Sequence, residues 1–174
     1  MRRVLACLAA TVLLAACTGG DGDRPAPTAA GSTGPAPVIP TTRPVVTVPS
    51  GPPPTKLVKK DLIVGTGEYA IPGKTVVVNY VGVLYRNGKE FDSTWRTGHT
   101  FPFQLGGEQV IAGWDEGVVG MRVGGRRELV IPPELGYGEQ GDGSGVIGPN
   151  ETLIFVVDLV SVGGAAAGIP GPTG

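Results

Sequence analysis

Cysteine and histidine are almost absent from this chain, and each scarcity removes a kind of chemistry. The two cysteines, Cys7 and Cys17, stand at the start, so everything after residue 17 lacks a thiol and no disulfide framework is expected. One histidine, His99, in an expected loop, cannot build a His or Cys metal site. A Ser-His-Asp triad would need His99 beside Ser93 or Ser144, and neither serine lies in a strand-turn-helix elbow. The glycine-rich stretches Gly65-Thr66-Gly67 and Gly120 to Gly125 lack the Lys-Ser/Thr ending of a phosphate loop. Asp115 and Glu116 are adjacent, roughly 100° apart on a helix, and read as a solvated face rather than a carboxylate pair. Residues 56–162 hold ten Lys and Arg against thirteen Asp and Glu without runs, a mildly acidic balance that argues against nucleic acid as a partner.

What the chain has in abundance is glycine and proline, thirty and seventeen residues, which marks much of it as loop or linker. Met1, Arg2 and Arg3 precede an apolar run, Val4 to Leu14, too short to span a bilayer comfortably, the pattern of a signal peptide over residues 1–16. Leu14-Ala15-Ala16-Cys17 resembles the lipobox of bacterial lipoproteins, which implies lipidation at Cys17 and anchoring to a cell membrane from the extracytoplasmic side. Residues 17–55 then form the expected linker. From Thr18 to Pro54 there is no aromatic residue and ten of the seventeen prolines occur, so the stretch reads as a disordered, extended tether. At about 3.1 Å per residue it would reach roughly 100 Å. Residues 163–174 read as a frayed tail.

The folded domain is expected over residues 56–162. Lys56 to Val64 opens it as a strand pair around Asp61, and Thr75 to Tyr85 is the strongest strand, with Val76, Val78 and Tyr80 on one face. Asn87-Gly88 signals a hairpin because both residues accept positive φ, and Glu90 to Ser93 returns antiparallel. Ser93 to Thr100 reads as a bulge or loop. Phe101 to Leu105 resumes the extended pattern, with Pro102 implying an edge. Gln104 to Met121 reads as the one short helix, placing Val110, Ile111, Trp114, Val118 and Met121 on one face. Its glycines weaken it, so it needs a sheet to lie on; taken alone, Trp114 is a core residue. Arg126 to Ile131 and Thr152 to Val162 complete the strands, separated by the irregular stretch Glu134 to Glu151. The outcome is an α+β domain, a curved antiparallel sheet of about five strands wrapped around one short helix. Tyr80, Phe91, Phe101, Phe103, Trp114, Tyr137 and Phe155 crowd around that helix and suggest a concave apolar pocket with a few polar tips.

Several spaced stretches carry a resemblance: Val78-Asn79-Tyr80-Val81-Gly82, Asn87 to Thr94, Phe101 to Gly106, Val110 to Val118, Met121 to Gly125, and Ile131 to Gly138. In order and nearly without gaps, they are similar to the FKBP-type peptidyl-prolyl cis/trans isomerases over essentially all of residues 56–162. The resemblance implies the bent five-stranded sheet and a proline pocket lined by Tyr80, Phe101, Val110, Ile111, Trp114 and Phe155, with Trp114 as floor and Phe91 closing a side. It implies Tyr80, Asp92 and Tyr137 as the catalytic set. Asp92 lies near the twisting amide, Tyr137 offers its hydroxyl to a substrate carbonyl, and the Ile111 N–H is a further donor. Val146 and Ile147 join the substrate-binding set. No cofactor or metal is implied; the partners are proline-containing peptides, unfolded exported proteins and macrolide inhibitors, bound by a monomer. A non-catalytic proline-binding module or chaperone is the alternative. The chain departs from the family pattern at Arg96 and Thr97, after Phe-Asp-Ser, and at Gly141-Asp142-Gly143-Ser144-Gly145, where relatives often carry His and Pro.

Overall fold

Valine and isoleucine run almost continuously through two stretches of the chain, Val76–Val78 with Val81–Leu84 and Leu153–Val157, and these become the two central strands of the sheet. In the computed structural model, residues 36–163 are described, and the signal-like segment, Cys17, the start of the expected tether and residues 164–174 lie outside them. The strands are β1 (Val58–Ile63), β2 (Thr75–Leu84), β3 (Glu90–Ser93), β4 (Phe101–Gln104), β5 (Arg126–Ile131) and β6 (Leu153–Val162). All pairings are antiparallel, in the order β1-β5-β6-β2-β3, with β4 also on β2. The sheet therefore has six strands rather than five. Because β6 occupies one edge of β2 from Val76 to Leu84, β4 pairs along Thr75–Val78 and β3 along Val81–Val83 on the other edge, so six strands fill five positions.

β1 is one strand with a bulge between Asp61 and Ile63, not a strand pair, and as the outer neighbour of β5 it is exposed along its length. At the β2–β3 turn only Gly88 takes positive φ, +69°; Asn87 instead accepts a hydrogen bond from the Lys89 N–H through its side-chain oxygen at 3.0 Å. Between β3 and β4 the chain makes a helical turn, α1 (Thr94–Thr97), where a loop or bulge was expected. Ser93 caps it by accepting from the Trp95 N–H, and Gly98 closes it at φ +73°. The expected helix over residues 104–121 contracts to α2 (Ala112–Gly117), because Gly106 and Glu108 take positive φ and interrupt any helix before it.

α2 lies directly on β5. A Cβ at Gly113 would fall 2.4 Å from Ile131, and one at Gly117 would fall 2.7 Å from Leu129, so the glycines that weaken the isolated helix are what let it approach the sheet. Arg127 of β5 completes the seat by donating to the carbonyls of Gly117 at 2.8 Å and Val119 at 3.1 Å, and to the Asp61 carboxylate of β1 at 2.6 Å. Those carbonyls at the helix end have no partner within the helix, and a guanidinium is well suited to them. The main core fills the space between sheet and helix with Val76, Val78, Leu129, Ile131, Leu153, Phe155, Val157, Val118 and Met121 among others.

The other face of the sheet is also covered. Val81, Val83, Tyr85, Val130 and Ile154 form a second apolar cluster, against which Val46, Val48 and Trp95 pack. Residues 36–55, expected as free tether, hold no helix or strand, yet Val46 and Val48 lie on this back face and Ile39 packs against the main core. In isolation the segment has too little apolar surface to fold; proline bars it from a ladder but does not prevent its valines from burying on a finished sheet.

Beside that cluster a charge pair is sunk into the back face. Arg126 grips the fully buried Asp158 through Nε at 2.5 Å and a terminal nitrogen at 2.8 Å, across a register pair of β5 and β6. Burial nevertheless pushes the Asp158 carboxyl above the usual carboxylate range, with Arg126 opposing the shift. Replacing Arg126 by Met should therefore cost about 3–5 kcal/mol at neutral pH, since it strands a buried charge. With a folded pKa above the unfolded one, the penalty from ionised Asp158 is absent below the unfolded pKa and grows as pH rises through the folded one. Urea denaturation of Arg126→Met should show the deficit shrinking toward acidic pH; a pH-independent deficit would contradict the charge argument.

Candidate functional site

Trp114 is 4% exposed and forms the floor of a cleft of about 250 Å³. It is held by four rings from three strands, β2, β4 and β6. Tyr80 and Phe155 stand nearly perpendicular to it with centroids at 4.9 Å and 5.2 Å, Phe101 does so at 6.0 Å, and Phe103 lies tilted at 5.5 Å. Edge-to-face packing of this kind fixes ring orientation as well as burying area. Phe91 meets Phe155 edge-on at 5.4 Å. Gly82 lies behind that pair, where a Cβ would come within 2.8 Å of both rings, so β2 must have no side chain there.

The near wall comes from the approach to α2. Asp115, expected on a solvated face, accepts from the N–H groups of Gly106 at 2.8 Å and Glu108 at 3.0 Å and so ties down the loop that presents Gln109, Val110 and Ile111. Val110 and Ile111 reach the cleft from the bend that leads into α2 rather than from a helical face. Among the described residues the Ile111 N–H has no hydrogen-bond partner, whereas its carbonyl accepts from Trp114 at 2.8 Å. Gln109 lines the cleft and was not anticipated; its side-chain oxygen accepts from the Gln104 N–H at 3.0 Å, a local bond with no sequence signature.

Of the residues singled out from the sequence, Tyr80, Phe91, Asp92, Phe101, Val110, Ile111, Trp114, Tyr137 and Phe155 all line this one cleft. Val146 and Ile147 do not. Ile147 is buried in the main core, anchoring the loop through its carbonyl, which accepts from the Asp142 N–H at 3.1 Å, and Val146 is exposed away from the lining. Phe103 sits beneath, stacked on Phe101.

The polar groups stand at the rim. The Tyr80 hydroxyl donates to Asp92, and Asp92 is also approached by Arg96 at 3.9 Å, one helical turn on. Both partners of that ion pair are more than half exposed in their side chains, so it contributes about 0–1 kcal/mol. Burial raises the Tyr80 pKa strongly, reinforced by its hydrogen bond to Asp92 and by that carboxylate's charge. Burial likewise raises Tyr137, with Asp142 and Asp92 adding to it. Both phenols are thus held as protonated donors. Among the described residues no group of three His, Cys, Asp or Glu side chains could hold a metal ion.

A phenol whose pKa rises on folding contributes stability below its unfolded value near 10.0, lost as pH rises through the folded value. The domain should accordingly lose stability above about pH 10, with two tyrosines withholding their phenolate absorbance until the chain unfolds. Tyr80→Phe should remove one of the late-titrating groups. If both titrate freely in the folded chain, the burial of the cleft hydroxyls is wrong.

Comparison with known proteins places this geometry in a family. Residues 67–160 match the FKBP-type peptidyl-prolyl cis-trans isomerase family. The chain is 56% identical over 120 residues to an FK506-binding protein of Streptomyces anulatus, covering 69% of this chain and 97% of that one. It is 51% identical over 119 residues to a probable FK506-binding protein of Corynebacterium glutamicum, covering 68% and 98%. The crystal structure of FkpA from Escherichia coli superposes with a TM-score of 0.57 at 46% identity, over 64% of this chain and 50% of that one.

Proposed function

We propose that this chain, which belongs to the FKBP-type peptidyl-prolyl cis-trans isomerase family, turns X-Pro amides of exported proteins in the Trp114 cleft while tethered outside the cytoplasmic membrane. The observation that carries the reading is the cleft itself: aromatic walls and floor, with Tyr80, Asp92, Tyr137 and the Ile111 N–H as its polar groups.

The chemistry asks little more of the site. Rotation about an X-Pro amide is slow because the planar bond has partial double-bond character, with a barrier near 18–20 kcal/mol. Water favours the planar, charge-separated amide. A dry aromatic cleft withdraws that solvation, and the twisted amide, being less polar, loses less by it; the cleft thus binds the transition state better than the ground state. In this assignment the proline ring rests on Trp114 between Tyr80, Phe101 and Phe155. Tyr137 and the Ile111 N–H donate to substrate carbonyls. Asp92 orients the Tyr80 hydroxyl by accepting from it. No nucleophile or electron carrier enters the reaction.

Export and anchoring rest on the signal-like start and Leu14-Ala15-Ala16-Cys17, with Cys17 as the lipidated residue. Proline-containing peptides and unfolded exported chains are the proposed substrates. Macrolides are proposed cleft ligands, since both relatives carry names describing FK506 binding.

Exchange spectroscopy on an Ala-Leu-Pro-Phe peptide tests the activity. The purified chain should accelerate cis/trans exchange at micromolar concentration. Tyr137→Phe should lower kcat/KM by about 2–12-fold, the value of one net hydrogen bond of about 0.5–1.5 kcal/mol. Asp92→Leu should lower it further, since it also frees the Tyr80 hydroxyl. Peptide binding without any rate enhancement would instead identify a proline-binding module.

A further inference from the structure

The central strands carry a signal that a one-sided sheet would lack: β2 and β6 are buried on both faces, and their sequences are apolar almost without alternation. Something must cover the back face, and the described chain supplies it. Residues 37–53 cross the sheet and are held at successive points. Near its start, Pro37 lies against the backbone of Gly67 and Gly124, where a side chain would fall 3.0 Å and 3.4 Å from the proline ring. The Thr42 carbonyl then accepts from Arg126 at 2.7 Å, the guanidinium that also grips Asp158. Arg43 pairs with Glu90 of β3, and Pro44 is buried. Val46 and Val48 enter the apolar cluster, and the Pro52 carbonyl accepts from the Tyr85 hydroxyl at 3.3 Å.

We propose that the back of the sheet is a docking surface for an extended, proline-punctuated chain, filled in cis by residues 37–53, so that the folded unit begins near residue 36. Three properties make the face suitable. Its centre is apolar and takes valines, Arg126 and the Tyr85 hydroxyl present donors to backbone carbonyls, and Glu90 takes a cation. A proline-rich chain has free carbonyls and few N–H groups, so donors are what it needs. Val46 and Val48 lie on the face opposite the Trp114 cleft, because Val81 and Ile154 alternate with Tyr80 and Phe155 along β2 and β6. Docking therefore leaves the cleft open. It also takes residues 37–53 out of the stretch expected as tether. The inference stands whether or not the cleft is catalytic.

Nitrogen-15 relaxation on the full chain after removal of the signal segment reads the docking directly. Val45 to Val48 should relax like β2, and Thr18 to Gly34 like free chain; equal fast motion in both stretches would overturn the proposal. In the same chain Val46→Asp with Val48→Asp should set Val45 to Val48 moving like Thr18 to Gly34, lower the denaturation midpoint and shift Trp95 emission to the red. Peptide exchange by the cleft should be unchanged. A midpoint and a strap relaxation both unaltered by the two aspartates would equally defeat it.

Discussion

The seating of a six-residue helix on one strand is the constraint from which the rest of this structure follows. α2 is too short and too glycine-rich to persist alone. It exists because Gly113 and Gly117 allow it to touch Ile131 and Leu129, and because Arg127 holds the carbonyls at its end while bound to Asp61 on the next strand. Trp114 is carried on that helix, and Asp115 beside it fixes the loop bearing Val110 and Ile111. The position of the cleft floor and the shape of its wall are therefore consequences of how closely a helix can approach a sheet.

From that placement the character of the site follows. Rings from β2, β4 and β6 converge edge-on upon Trp114, leaving a small apolar hollow whose polar groups lie at the mouth. Such a site is poorly suited to moving protons or attacking a carbonyl. It is suited to stripping water from an amide and holding it with a few donors, and burial keeps both rim phenols protonated for that purpose. Gly82 and Gly113 serve the cleft by contributing no side chain at all.

The sheet works on two sides at once. Its concave side seats the helix and frames the cleft; its back carries the buried Arg126–Asp158 pair and the apolar cluster under residues 37–53. Arg126 joins the two back-face features, since one guanidinium holds both Asp158 and the Thr42 carbonyl. Approach to the cleft is thus separated from the face on which Val46 and Val48 pack.

The antiparallel strands and the identity of most cleft residues were legible in the sequence, through local patterns: the valine runs of β2, the edge proline Pro102, and spaced motifs around Tyr80, Asp92, Trp114 and Tyr137; the order of the strands in the sheet was not, because it is set by pairings between distant segments. Whatever depended on distant partners was not. Residues 104–111 carry helical spacing yet form turns and a bend, since Gly106 and Glu108 take positive φ while their N–H groups donate to Asp115. Val146 and Ile147 follow the cleft's loop in sequence but divide between surface and core, because the loop folds Ile147 inward. The proline-rich stretch reads as free chain by composition, and only the finished back face gives its valines somewhere to go. Which segments extend and which side chains seek burial are local properties of residues, and the amino-acid order alone sets them. Where six helical residues could rest, which loop residues faced the cleft, and that Val46 and Val48 would cover a sheet all waited on the fold, because each needs surfaces that exist only after distant strands have paired.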